Sequence, residues 1–244
     1  MRDYGNLVNN DNQERLLFAG REVPIKWSRR RRTIGLTVTA TGQVIISAPR
    51  GSSPDVLRQA LKKHRAWIER KVAARKESWS RLQEGAVYFL GQTYRLALDP
   101  AATGPVALGP AEMRVRAATP AVAWGLLLDW YYQEAERLIK ERVEYYAGAM
   151  GLKVRRVELR QWRRRWGECR PLEDLRFNWR LILVPPAVLD YVVVHELTHL
   201  QEPGHTPRFW QGVERVLPDY RQRRSWLNRY GTPFLLWRLG EVES

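Results

Sequence analysis

Three of the four histidines of this chain lie within eleven positions, at His195, His199 and His205. Two of them frame the pentapeptide HELTH at 195–199, in which Glu196 lies beside the first imidazole. On an α-helix, a spacing of four residues puts both imidazoles on one face, one turn apart, where they can bind the same ion. This His-Glu-x-x-His pattern is typical of a zinc site in which the glutamate faces a water bound to the metal.

A third histidine completes the ligand set. Catalytic zinc generally takes three protein ligands and leaves a fourth position for water. His205 follows a Pro-Gly break six residues after His199, and the break lets the chain turn back toward the metal. We therefore predict one Zn²⁺ per chain, bound by His195, His199 and His205. Glu196 is the predicted general base, which takes a proton from a water made acidic by the metal for attack on a carbonyl.

The same residues allow other interpretations. Two core histidines held by hydrogen bonds would give the same pattern, but His and Glu without partners in so apolar a run would bear a desolvation cost of several kcal/mol. Glu214 is a weaker ligand candidate, because nothing in its spacing points it at the helix. Cys169 is a further alternative ligand, although a buried small apolar residue is the more ordinary role. His64 has no possible partner ligand near it in sequence, which predicts a surface or half-buried residue.

The elements that must position the histidines can be predicted from local patterns. Pro185 and Pro186 can open a helix and Pro203-Gly204 can end it, which predicts a helix over 187–202. Before it, the segments VRRVELRQW, RRWGEC and LRFNWRLIL alternate apolar and polar residues as strands do. A long helix with apolar residues at helical spacing precedes them and is closed by Gly151. The order is therefore helix, strands and then the helix with the histidines.

The first half of the chain is predicted to be rich in strands. Apolar residues alternate three times between Val23 and Pro49, which indicates three short strands, the last two joined by a turn at Thr41-Gly42. An amphipathic helix with a basic outer face is expected over 54–79, and more strands over 85–99. We predict an α+β fold, with a β-rich N-terminal region over residues 1–118 and the histidine-bearing domain over residues 119–244.

Composition limits the class of protein. A chain with 44% hydrophobic and 11% aromatic residues can bury a sizeable core. The aromatic residues that we expect in the core around the helix with the histidines are Trp162, Trp166, Trp179, Phe209, Trp210 and Trp226. There is no run of eighteen apolar residues, and the N-terminus lacks the pattern of a secretory signal, so we expect neither a membrane span nor export. The single cysteine, Cys169, excludes an internal disulfide and is typical of a cytoplasmic protein. The oligomeric state stays open.

The charge indicates a possible polyanionic partner. Lys and Arg number 41 against 26 Asp and Glu, for a net charge of +15 and a pI near 10.4. Such an excess attracts nucleic acid through counterion release, although solvated basic faces would explain it equally well. The basic residues concentrate at Lys26 with Arg29–Arg32, at Arg155–Arg170 and at Arg221–Arg229.

The run from Arg164 to Leu227, which contains the histidine motif, resembles the YgjP-like metallopeptidases, relatives of the WLM and SprT-like zinc peptidases. The likeness continues into the first half of the chain, in WSRRRRTIGLTVTATGQVIISAPRGSS, AWIERK and EGAVYFLGQTYRLAL. It implies a zincin-like metallopeptidase domain over residues 119–244, a protein or peptide substrate, and the same metal ligands and general base as above. Where the family usually has Arg-Trp-Gly-Ser-Cys, this chain has Glu168 in place of the serine.

The sequence therefore predicts a zinc-dependent metallopeptidase. The kinship with SprT-like and WLM peptidases, some of which act on proteins attached to DNA, implies a DNA-associated form of this activity. One alternative is a basic nucleic-acid-binding module with a structural or vestigial zinc site, although structural zinc normally has four protein ligands and only three are evident. The other is a metal hydrolase that acts on a small amide or another non-peptide substrate.

Overall fold

The chain forms two compact units, one over Met1–Arg81 and one over Leu82–Ser244. Both contain strands and helices, which confirms the predicted α+β class. Among the described residues, no helix combines the length and the apolar character that a membrane-spanning segment needs. The first seven residues, on which the expected lack of an export signal depends, lie outside the described part of the chain. The computed structural model describes residues 8–10, 13–80, 82–83, 85–170 and 174–237.

The first unit is a five-stranded sheet that packs against two helices. Its elements in chain order are β1 (Val8–Asn10), β2 (Gln13–Phe18), β3 (Arg21–Ser28), β4 (Gly35–Val38), β5 (Val44–Pro49), α1 (Pro54–Lys63) and α2 (Arg65–Trp79). The strand order is β1-β2-β3-β5-β4, and the pair β3 and β5 is parallel. The three strands predicted between Val23 and Pro49 are confirmed, whereas β1 and β2 were not predicted.

Two local predictions for this unit have different outcomes. The turn between β4 and β5 contains Gly42 at φ +87°, a conformation that glycine adopts without strain, so this prediction is confirmed. The single helix predicted over 54–79 is wrong, because His64 leaves helical geometry at φ −104° and ψ 16°. The break separates α1 from α2, and it keeps Leu61 and Ile68 in the same hydrophobic core.

The second unit combines two sheets with a long central helix. Its strands and helices in chain order are β6 (Ala86–Phe89), β7 (Gln92–Leu98), β8 (Val106–Leu108), β9 (Glu112–Val115), α3 (Pro120–Met150), β10 (Arg156–Arg160), β11 (Gly167–Arg170), β12 (Asp174–Asn178), α4 (Pro186–Thr198), α5 (Pro207–Val216) and α6 (Tyr220–Leu236). A 3₁₀ turn at Trp179–Leu183 links β12 to α4. The sheets have the orders β6-β7-β9-β8 and β10-β12-β11.

The boundary between the compact units differs from the predicted division at residues 118 and 119. The segment between β7 and β9 is rich in Pro and Gly, contains β8 and lies within the second unit. β6 packs into the same core as α3, where the Tyr131 hydroxyl donates to the Tyr88 carbonyl oxygen at 2.6 Å. Strands β6 to β9 therefore fold with the helix that follows them.

Helix α3 supports the part of the fold that carries the histidines. Every fourth residue along it is buried, which forms one stripe against the rest of the unit. The helix ends at Gly151 in the left-handed conformation at φ +65°, as predicted. Helix α4 packs against α3, α5, α6 and β11, and it is apolar almost all round because it lies in the middle of the core. The buried residues of the α3 stripe are Ala123, Leu127, Tyr131, Ala135, Ile139, Val143 and Ala147.

Candidate active site

The helix predicted over 187–202 is α4, which begins at Pro186 and ends at Thr198. Its opening at the Pro185-Pro186 pair is confirmed, but its regular part is shorter than predicted. The next residue, His199, is its C-cap, and the chain continues as a tight turn in which the Glu202 N–H donates to the Thr198 carbonyl at 3.0 Å. This early end starts the reversal that returns the chain toward the helix at His205.

The structure brings the three histidines of the motif region together. One ring nitrogen of each lies within 4.8 Å of those of the other two, and Nε2 of His205 is 3.1 Å from Nε2 of His195. Two nitrogens bound to one tetrahedral zinc at about 2.05 Å would be about 3.3 Å apart. The closest pair therefore already has the separation that a shared zinc requires. His195 and His199 are partly buried, whereas His205 is exposed.

The protonation of the imidazoles suits metal binding. Nδ1 of His199 lies 3.2 Å from the Glu202 carbonyl oxygen, which can only accept, so Nδ1 carries the proton and Nε2 keeps its lone pair. Burial, with a smaller contribution from the two neighbouring imidazoles, lowers the pKa of His195 to about 3. Burial also lowers the pKa of His199. At neutral pH both rings are therefore uncharged, as metal ligands must be.

Aromatic residues of α5 form the wall behind the histidines. The fully buried ring of Phe209 lies 4.9, 4.5 and 4.8 Å, between centroids, from the rings of His195, His199 and His205. Trp210 stacks on His205 at 5.7 Å, and its own ring is covered by the Arg224 guanidinium at 4.4 Å. These contacts orient the imidazoles through packing, which confirms that these aromatic residues surround the motif helix.

The side chain of Glu196 extends from α4 to the edge strand β11, which it contacts at Gly167 and Cys169. Its side chain is buried, and the Cys169 backbone N–H donates to its carboxylate. A Cβ atom built on Gly167 would lie 2.6 Å from Oε1 of Glu196, so only glycine fits at this position of β11. Burial raises the pKa of Glu196 to about 8, against the opposing effect of the Cys169 N–H. The carboxyl group is thus held in a buried, well-defined position beside His195.

A cleft of about 690 Å³ opens over the histidines and Glu196, with β11 on its other side. Glu168, which replaces the serine that the family usually has, forms an ion pair with Arg165 at 2.8 Å at the rim of the cleft. Cys169 also lines the cleft, and burial raises the pKa of its thiol to about 11, which keeps it protonated.

The structure separates the three histidines from the other ligand candidates. Among the described residues, the group that could hold a metal contains His195, His199 and His205 and neither Cys169 nor Glu214. Glu214 instead forms an ion pair with Arg221 at 3.1 Å. His64 is exposed and lies between α1 and α2 of the first unit, as its sequence context predicted.

Sequence reasoning missed one residue that shapes the site. The buried side-chain amide of Asn178 donates to the carbonyl oxygens of Trp162 at 2.7 Å and Arg165 at 3.0 Å. These bonds hold the segment that leads into β11 and therefore position Gly167. The signal in the sequence is weak, because a polar residue at the end of a strand is ordinary.

A family model that matches most of the chain defines the class of protein as a metallopeptidase. The chain belongs to the YgjP-like family, whose metallopeptidase domain model matches residues 32–230. No curated protein sequence matches the chain significantly. Among solved structures, the metallopeptidase zymogen abylysin of Pyrococcus abyssi is 20% identical, with a TM-score of 0.34, over 38% of this chain and 97% of its own.

Proposed function

We propose that this metallopeptidase uses one Zn²⁺ bound by His195, His199 and His205, with Glu196 as general base. The observation that carries the proposal is the convergence of three imidazole nitrogens, two of them only 3.1 Å apart, beside a buried carboxyl group. Three imidazoles are a donor set that suits zinc, and they leave one position open for water. Bound zinc would acidify that water and polarise the scissile carbonyl.

Glu196 would hold and move the proton in this reaction. It follows His195 directly on α4, so its carboxyl group stays beside the ligand set without joining it. The Cys169 N–H supports one side of the carboxylate, and the absence of a side chain at Gly167 leaves room for it. A general base must lie within hydrogen-bond reach of the proton that it takes, and this support keeps it there. After cleavage the same group can pass the proton to the leaving amine.

Strand β11 would bind the peptide substrate. It is the last strand of its sheet, and the Asn178 N–H donates to the Trp166 carbonyl at 2.8 Å. In an antiparallel ladder every second residue bonds to the neighbouring strand, so the residue after Trp166 does not bond to β12. The backbone groups of Gly167 and Cys169 consequently face away from β12. The Cys169 N–H already donates to Glu196, and the other groups lie beside the cleft. An extended peptide can pair with such an edge and present its carbonyl to the metal. This geometry favours a peptide over a small amide as the substrate.

Metal content and peptide hydrolysis would test the site together. We would measure zinc by mass spectrometry in wild type, His205→Ala, Glu196→Gln and His64→Ala, and then digest a peptide library with each. We expect about one zinc per chain in all but His205→Ala, and hydrolysis only by wild type and His64→Ala. His64→Ala is the matched control, because it removes the histidine that lies outside the site. A wild type that stays free of zinc after zinc is supplied would refute the proposal.

Nucleic-acid association is the second part of the proposal, and the net charge of +15 supports it. The same charge supports the alternative of a basic binding module with a structural zinc. Glu196→Gln separates the two, because nucleic-acid binding should survive this change whereas hydrolysis should not. The single cysteine of the chain supports a cytoplasmic location as part of the same proposal.

A further inference from the structure

The positive charge of the chain is concentrated in the first unit. Residues 1–81 contain 18 Lys and Arg against 7 Asp and Glu, a net charge of +11. Residues 82–244 contain 23 against 19, a net charge of +4. The unit that lacks the histidine cluster therefore carries most of the excess charge, which the chemistry of the site does not require.

Part of this charge collects where two parallel strands end. Arg29–Arg32 directly follow β3 and Arg50 directly follows β5, so these residues lie at the same edge of the sheet. The Arg50 N–H donates to the Ser28 carbonyl oxygen at 3.2 Å, which fastens the two chain segments to each other. We call Arg29, Arg30, Arg32 and Arg50, all of them exposed, the arginine edge. Arg31 is left out because its Nε donates to the Thr33 carbonyl.

The arginine edge lacks an acidic partner among the described residues. In the part of the chain that the structure describes, none of its four guanidinium groups pairs with a carboxylate. Several acidic side chains of the described part of the unit bind other partners: Glu22 pairs with Arg15 at 2.6 Å and Asp55 with Arg58 at 2.6 Å. Glu69 pairs with Arg65, and Glu14 accepts from the Trp27 indole. Four exposed guanidinium groups are thus available to an external anion.

We propose that the arginine edge binds the phosphate backbone of nucleic acid. This deepens the nucleic-acid part of the proposed function and rests on it, but not on the zinc site. Guanidinium groups match phosphate with two parallel hydrogen bonds, and several of them on one edge can follow a linear polyanion. Binding to an anionic membrane would be strengthened by apolar side chains inserted beside the charges. Leu17 and Val56 are the only large apolar residues exposed in the described part of this unit, one on β2 and one on α1.

Fluorescence anisotropy with labelled single-stranded and duplex DNA would test the proposal. The full-length chain should bind either probe, with an affinity that falls steeply as salt rises. In the variant R29Q/R30Q/R32Q/R50Q, we expect at least about a tenfold loss of affinity near 100 mM salt. Because each lost phosphate contact removes about 0.9 from the slope of log affinity against log salt, the slope should fall by as much as about 3 to 4.

A control of equal charge distinguishes this edge from general basicity. The variant K62Q/K63Q/R70Q/K71Q removes four exposed charges from α1 and α2 of the same unit. It should weaken binding by less than about threefold. Equal losses in the two variants would overturn the proposal in favour of bulk charge, and a wild type that binds neither probe at low salt would overturn it outright.

Two further measurements identify the partner and keep the parts of the proposal separate. Phosphatidylserine vesicles that bind as tightly as DNA, with the same dependence on the four arginines, would overturn the proposal in favour of a membrane surface. Circular dichroism should show that both variants are folded. Zinc content and peptide hydrolysis should be unchanged in the edge variant, so a failure of the zinc site and a failure of the arginine edge give different results.

Discussion

Gly167 of β11 lies against the carboxyl group of Glu196 so closely that a Cβ atom there would be 2.6 Å from Oε1 and 2.7 Å from Cγ. Real Cβ atoms essentially never approach a heavy atom so closely, so either the strand or the glutamate would have to move. The two residues belong to different elements, and the contact fixes the distance between the edge of the sheet and the proposed general base. The bare backbone at Gly167 is thus part of the site.

We therefore expect Gly167→Ala to reduce kcat for peptide hydrolysis by about 10- to 100-fold while zinc content stays near that of wild type. The added methyl group displaces Glu196 but touches none of the histidines in this contact. Steady-state kinetics with parallel metal analysis would check this. Gly148→Ala is the control, because a Cβ atom there meets nothing within 4 Å, and alanine in a helix should stabilise by about 0.5–1 kcal/mol. Full activity of Gly167→Ala would contradict the role given to this contact.

Phe209 should affect both stability and metal affinity. Its fully buried ring contacts all three imidazoles, so Phe209→Ala should lower the free energy of unfolding by about 3–5 kcal/mol. The loosened rings should also weaken zinc binding by more than about tenfold. Phe89→Ala, at a buried aromatic residue of β6, should lower stability without this loss of affinity. Urea unfolding and a competitive zinc titration would measure both effects, and equal zinc affinity in the two variants would show that Phe209 is only core.

Asn178 is expected to control the segment that leads into β11. Asn178→Asp keeps the shape of the side chain but removes the donors to the Trp162 and Arg165 carbonyls. Unsatisfied buried groups cost about 1–3 kcal/mol each, so the free energy of unfolding should fall by at least about 2 kcal/mol. Asn228→Asp, at an exposed position of α6, should change it by less than about 0.5 kcal/mol. Equal stability of the two variants in urea would contradict this role.

Asp190 offers a test of a partly buried ion cluster away from the histidines. It lies on α4, with Oδ1 3.5 Å from Arg142 and Oδ2 3.9 Å from Arg223, and burial still raises its pKa above the ordinary 3.8. The folded chain therefore holds this proton more tightly than the unfolded chain does. As pH rises through the interval from 3.8 to the raised pKa, the folded state loses stability relative to the unfolded state. At neutral pH the ionised carboxylate is consequently a net liability.

Asp190→Asn should for this reason be at least as stable as wild type at pH 7, and its advantage should shrink as the pH falls to 3.8. Urea unfolding at several pH values would show the trend. Asp219→Asn should behave in the opposite way, because a hydrogen bond from Arg223 lowers the pKa of Asp219 and its charge is favourable in the folded state. A loss of about 3–5 kcal/mol in Asp190→Asn, as when a strong buried pair is broken, would contradict this argument.

The sequence by itself predicted the features that depend on neighbouring residues. A spacing of four on a helix places His195 and His199 on one face whatever surrounds them, and a Pro-Gly break is enough to predict a reversal before His205. Alternation between Val23 and Pro49 and the glycine that closes α3 are equally local signals. These predictions succeeded because backbone geometry over a few residues determines them. The family likeness, now confirmed by the match over residues 32–230, extends them to the class of enzyme.

Only the tertiary structure decided the relations between distant segments. No periodicity shows that β11 lies against Glu196, that Asn178 holds the chain before Gly167, or that one phenylalanine contacts three imidazoles. The break at His64 and the early end of α4 were also missed, because in both segments the helix pattern of the sequence continues past the residue at which the helix ends. The grouping of β6 to β9 with α3 likewise depends on shared burial. Contacts between residues far apart in sequence follow from how whole elements pack, and local sequence patterns do not determine that packing.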